Sequence, residues 1–259
     1  MDWKSNREKK MIDWNDKEKV MESVIEYGLD LKFASDRLQD DYDIVMEAVK
    51  NMGKSLEFAS KRLQDDDGIV LTAVKQDGWA LEWASERLKN NKYIVMKAVE
   101  ECSWTLKFAS DRLKDDVEVI LTAVKHRGYA LEEASDRLKD NEDLVMTVIK
   151  NYDKEALNWA SDRLKDNKKF VLEVVKNSGI GLEYVSERLR DDKDVVMEAV
   201  KQDGWILKYA SERLRDDRDV VMEAIKQDSS ALEYASDRLK KENSSLGKKI
   251  TKKFFKIFG

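Results

Sequence analysis

The residues LKFASDRLQDD at 31–41 are the first of nine slightly varied copies along the chain. Their first leucines are Leu31, Leu56, Leu81, Leu106, Leu131, Leu157, Leu182, Leu207 and Leu232, spaced by 25 residues except for a step of 26 between Leu131 and Leu157. No other feature constrains the fold as strongly. A unit this short cannot bury an apolar face alone, so each unit must cover its neighbour. The 259 residues are therefore expected to form a stacked array, although that length would also suit one or two ordinary domains. The extra residue falls between Lys150 and Leu157, which predicts a loop there.

Each unit carries two apolar patterns. The first follows an Asp or Asn, as in DYDIVMEAVK from Asp41 and DKDVVMEAVK from Asp192. Its apolar residues cover about half the circumference of a helix, and this predicts a helix A. The second pattern is the recurring phrase itself. Leu81, Ala84 and Leu88 fall at i, i+3 and i+7, one stripe at helical spacing, which predicts a helix B. Gly28, Gly53, Gly78, Gly128, Gly179 and Gly204 stand three places before the leucine and are expected to end helix A in the left-handed conformation. Short polar connections make neighbouring helices antiparallel. The expected fold is all-α: an α-solenoid of nine two-helix repeats over residues 16–242. A capping segment at 1–15 carries Trp3, Met11, Ile12 and Trp14, and a basic amphipathic tail fills 243–259.

Composition narrows the function. With 39% charged and 42% hydrophobic residues, the chain is too apolar for disorder, and it contains no proline. The net charge of −5 speaks against a general nucleic-acid binder. The absence of a long apolar run leads us to expect neither a signal peptide nor a spanning helix. A single cysteine, Cys102, fits a reducing, cytoplasmic setting.

The unit D-x-x-V-V-M-x-A-V-K-x-x-G-W-x-L-x-x-A-S-x-R-L resembles the repeats of domain-of-unknown-function family 4116 over about residues 16–242. The resemblance implies tandem short helical repeats. It implies no catalytic or binding residue.

Column by column, most of the repeat reads as construction. The paired acids, such as Asp40-Asp41 and Asp65-Asp66, suit helix capping better than calcium, because Asn91, Asn141 and Asn167 share the second position. An arginine stands in all nine copies, from Arg37 to Arg238, where a forked donor is expected to tie a helix end to an Asp-rich turn or a loop carbonyl. The serines Ser35 to Ser236 are expected to bond a carbonyl one turn back. Without a paired histidine they are not nucleophiles, and the lone His126 reads as a loop residue. Aromatics two places after the leucine, such as Phe33, Trp83 and Phe108, stand four before the arginine, so ring and guanidinium could stack on one helix face.

The position two before the leucine holds Leu29, Lys54, Trp79, Trp104, Tyr129, Glu155, Ile180, Trp205 and Ser230. Lys, Glu and Ser there tolerate water, yet three successive units place Trp79, Trp104 and Tyr129. These are expected to form one patch, with Trp83 one turn from Trp79, and to anchor a protein or peptide partner. Trp205 is a further candidate. The tail adds another: from Gly247 to Gly259 there are five lysines and no acids. Lys249, Lys252 and Lys256 lie opposite Phe254 and Phe258 on a helical projection, a pattern for an end cap or for docking to an anionic membrane or assembly. The chain is thus expected to be a non-enzymatic binding scaffold, with no cofactor, metal, nucleic acid or small-molecule substrate.

Overall fold

A computed structural model describes residues 12–125, 128–178 and 181–242. The chain divides into two compact units, residues 1–135 and 136–259. The first holds the long helices α1 (Lys17–Glu26), α2 (Tyr42–Asn51), α3 (Asp67–Gln76), α4 (Lys92–Glu101) and α5 (Val117–Val124). The second holds α6 (Glu142–Asn151), α7 (Lys168–Ser178), α8 (Lys193–Gln202) and α9 (Arg218–Gln227). These are the expected helices A. Within each unit every long helix packs on the next, as an all-α repeat stack requires. Among the described residues there is no strand, and no helix is long and apolar enough to cross a membrane.

The long helices form where the sequence says they should. An Asp or Asn precedes each one and accepts hydrogen bonds from free N–H groups of its first turn, as Asp41 does from Asp43 and Ile44 and Asn91 from Tyr93 and Ile94. Ile44, Val45, Ala48 and Val49 then turn inward and are fully buried. At about 25 cal/mol per Å² of apolar area removed from water, this repeated burial is the main stabilising term.

The second half of each repeat departs from expectation. The phrase is not one helix. Residues Gly28–Phe33 form a six-residue 3₁₀ helix, Ala34 and Ser35 are extended, and a four-residue α-helix follows at Asp36–Gln39. The same break recurs at Gly78–Trp83 with Glu86–Lys89 and at Gly204–Tyr209 with Glu212–Arg215. The physical reason lies in the serine. Ser85 is extended, with φ −62° and ψ 157°, and its Oγ accepts from the Leu88 N–H, so it starts a new helix instead of continuing the old one. Leu81, Ala84 and Leu88 are still buried, because the kinked path returns all three to the core.

The glycines are also corrected. Among the described residues only Gly181, not one of the six aligned glycines, has a positive φ. The aligned glycines are needed for closeness instead. A Cβ built on Gly78 would lie 2.6 Å from the Ala98 carbonyl oxygen of the following long helix. Gly28, Gly53 and Gly204 stand equally tight against Ala48, Ala73 and Ala224.

The extra residue behaves as expected. It is absorbed directly after α6, where the Tyr152 and Asp153 N–H groups both bond to the Val148 carbonyl at 2.9 and 3.0 Å.

Successive repeats are tied along one edge by a hydrogen-bond ladder. The Ser60 N–H donates to the Gln39 carbonyl at 2.9 Å, and Ser60 Oγ donates to Asp40. Arg62 Nε donates to the same carboxylate at 3.0 Å and Nη2 to the Asp40 carbonyl at 2.6 Å. Equivalent sets join Ser85 and Arg87 to Asp65, Ser110 and Arg112 to Asn90, and, in the second unit, Ser186 and Arg188 to Asp166. The first acid of each pair therefore receives the next repeat, while the second caps a helix. Asn90 shows that hydrogen bonding, not charge, is the requirement. The expected arginine tie is present; the expected serine bond to a carbonyl one turn back is replaced by this ladder. At the start, Asn15 and the Trp14 carbonyl serve as acceptors for Ser35, and the Asn15 carbonyl for Arg37. At the end, Lys241 stands where the receiving acid would be.

Candidate partner interface: the ring row

With the phrase broken at its serine, ring and arginine do not share a helix face. The arginines go to the ladder, and among the described residues the cations over rings are lysines. The aromatic residues line the side of the 3₁₀ segments, where neighbouring repeats meet.

In the first unit Trp79, on the 3₁₀ segment Gly78–Trp83, packs edge-on against Phe108 of the next repeat, with ring centroids 5.8 Å apart. Lys107 Nζ lies 4.7 Å from the centre of the Trp79 ring and 4.8 Å from that of Phe108. Trp79 is half-buried, as is Trp83. Trp104, on Ser103–Phe108, is different. It stacks on Tyr129 at 4.1 Å, and at 52% exposure it is the most exposed tryptophan among the described residues. The Tyr129 hydroxyl lies 3.4 Å from Ser103 Oγ. The structure thus brings Trp104 and Tyr129 together and gives Trp79 a separate partner. Among the described residues no ring contact joins the two pairs.

In the second unit Trp205 is 41% exposed. Tyr209 and Tyr234 approach it edge-on at 6.2 and 6.0 Å, and Lys208 Nζ sits 3.0 Å from its centre. Burial, reinforced by hydrogen bonding to the Glu183 carboxylate, pushes the Tyr209 phenol up to about 12 and raises the Tyr184 phenol as well. Both phenols therefore stay protonated and serve as donors at neutral pH.

The acids nearest to chemistry are those of the ladder. Asp40, Asp65, Asp140, Asp166, Asp191 and Asp216 are all held below the usual aspartate range, first by the serine hydroxyl and then by the arginine. A carboxylate kept ionised by two donors is a poor general base. Among the described residues no group of three His, Cys, Asp or Glu is placed to hold a metal ion. His126 and Ile180 lie outside the described residues, as do the tail candidates Lys249, Lys252, Phe254, Lys256 and Phe258.

The sequence carries a signal of this difference. In the Trp79 site Lys107 and Phe108 stand 28 and 29 residues after the tryptophan; after Trp104 the same positions hold Glu132 and Glu133. Comparing pairs of columns across repeats, instead of each column alone, reveals this exchange.

No curated protein and no solved structure matches the chain. One family model does, at residues 16–64, 66–114, 91–139, 116–165, 141–190 and 192–240. Those overlapping matches cover nearly all of the repeat array and follow its register, so the chain belongs to the family described as domain of unknown function (DUF4116).

Proposed function

We propose that this chain is a non-enzymatic repeat scaffold that binds a protein or peptide through its ring row. The exposure of Trp104, 52%, carries the reading. Large rings left in water on an otherwise regular stack are typical interface anchors. Trp205, at 41% exposure, offers a second anchor in the other unit. The acids of the repeat junctions support a non-catalytic role, since they are taken up by capping and by the ladder. A reducing, cytoplasmic location goes with this reading, on the ground of the single Cys102.

The test is affinity capture with the full chain as bait, comparing wild type with W104S/W205S. The scaffold reading expects partners to be lost while the melting curve stays within a few degrees of wild type. Identical partner sets from both baits would sink it.

A further inference from the structure

The exchange at Glu132 and Glu133 says what kind of partner the Trp104 site would take. At Trp79 and at Trp205 the protein satisfies its own ring. Each has an aromatic edge against it from the next repeat, Phe108 or Tyr234, and each has a lysine ammonium over a face, Lys107 or Lys208. Trp104 has neither. The position of Phe108 is filled by Glu133, whose carboxylate is paired with Lys114 at 3.0 Å. The position of Lys107 is filled by Glu132, which is exposed. The lysine three residues after Trp104 is Lys107 itself, and it lies over Trp79. Among the described residues no cation is recorded over Trp104 or Tyr129, and no ion pair at Glu132. A half-exposed ring pair is therefore left without a cation, and the position that supplies the cation at Trp79 holds a carboxylate; at Trp205, where that position is Glu233, Lys208 covers the ring instead.

We propose that Trp104, Tyr129 and Glu132 form a docking site for an arginine side chain of a partner protein. The inference rests on the scaffold reading and deepens it. A guanidinium is planar and weakly hydrated; it lies flat on a tryptophan face while forking to a carboxylate. It would provide from outside what lysine provides from inside at Trp79. Charge complementarity selects it: the unmatched carboxylate of Glu132 repels an acidic partner and draws a cation.

The experiment uses the full chain, its tryptophan indole N–H signals resolved by NMR, and the peptide Ac-Gly-Gly-Arg-Gly-Gly-NH₂. The matched control carries neutral citrulline in place of arginine. A saturable shift of the Trp104 signal with the arginine peptide is expected, with citrulline at least about tenfold weaker. W104A removes it. The decisive variant is E132K/E133F, which gives Trp104 the neighbours of Trp79; it is expected to fold at least as well as wild type and to lose the peptide. Binding that survives in E132K/E133F, an equal response to citrulline, or no shift at millimolar peptide overturns the proposal. Arg127 lies outside the described residues, so R127S is measured too; peptide binding seen only in R127S would mean that the site is filled from within, which also overturns it. If W104S/W205S loses its captured partners while the arginine peptide never binds, the arginine assignment falls and the scaffold reading stands.

Discussion

The ladder edge and the ring row run along the same repeats and obey different rules. On the ladder edge the serine and arginine appear in every copy, and the receiving residue changes only between Asp and Asn until Lys241. On the ring row the residue two before the leucine is variously Trp, Tyr, Lys, Glu, Leu, Ile or Ser. The difference has a physical cause. A ladder residue must satisfy fixed donors one repeat away, so one geometry serves every step. A ring-row residue faces its neighbour on one side and water on the other, so many residues are tolerated there. Uniformity along the stack marks what holds it together, and variation marks where a partner could be selected.

The largest expected effect comes from breaking the close approach of an aligned glycine to the next long helix. Gly78→Ala places a methyl group against the Ala98 carbonyl, and the helix α4 must shift to admit it. Overpacking of this kind costs roughly 1–3 kcal/mol. Urea unfolding of the full chain measures it. A neutral result would mean that the aligned glycines serve something other than close approach.

Next in size is the ladder itself. Ser85→Ala removes the cap on the Leu88 N–H and the hydroxyl donated to Asp65, at a cost of about 1 kcal/mol. The same variant sharpens the acid response. The carboxyl of Asp65 is held below its ordinary 3.8, first by Ser85 and then by Arg87. A depressed folded value stabilises the protein fully above the unfolded value, and that contribution is lost as pH falls through the folded one. The wild type should therefore lose stability steeply below about pH 4, with less slope in S85A. Denaturation midpoints from pH 2 to 7 show the slope, and equal slopes would detach the ladder from acid unfolding.

Much of this was legible in the sequence because repetition averages out local ambiguity. Nine copies of a capped apolar pattern leave little doubt about the long helices, and the column shared by Asp41 and Asn91 identified the caps. The 3₁₀ break was not legible. Leu81, Ala84 and Leu88 have helical spacing, and spacing alone cannot show that Ser85 prefers to cap rather than to continue. The glycines misled for a related reason: Gly78 is required by the Ala98 carbonyl of the next repeat, a contact invisible in a single copy. The expected ring patch divides into two pairs. Trp104 and Tyr129 do meet, while Trp79 belongs with Phe108 because the next repeat offers it that ring.

The smallest expected effect bears most on the comparison. Trp104 stacks on Tyr129 but leaves half its surface in water, so W104A should cost little beyond the ring pair it loses, about 0.5 kcal/mol. W79A strips a half-buried ring from Phe108 and Lys107 and should cost clearly more, since an aromatic pair contributes about 0.5–1.5 kcal/mol beyond its buried area. Parallel urea curves decide it. If the two variants cost the same, Trp104 is a packing residue like Trp79, and the ring row obeys the rule of the ladder. If W104A is near neutral, a large aromatic side chain is present that the stack does not need, and its place in the chain is explained by what it binds.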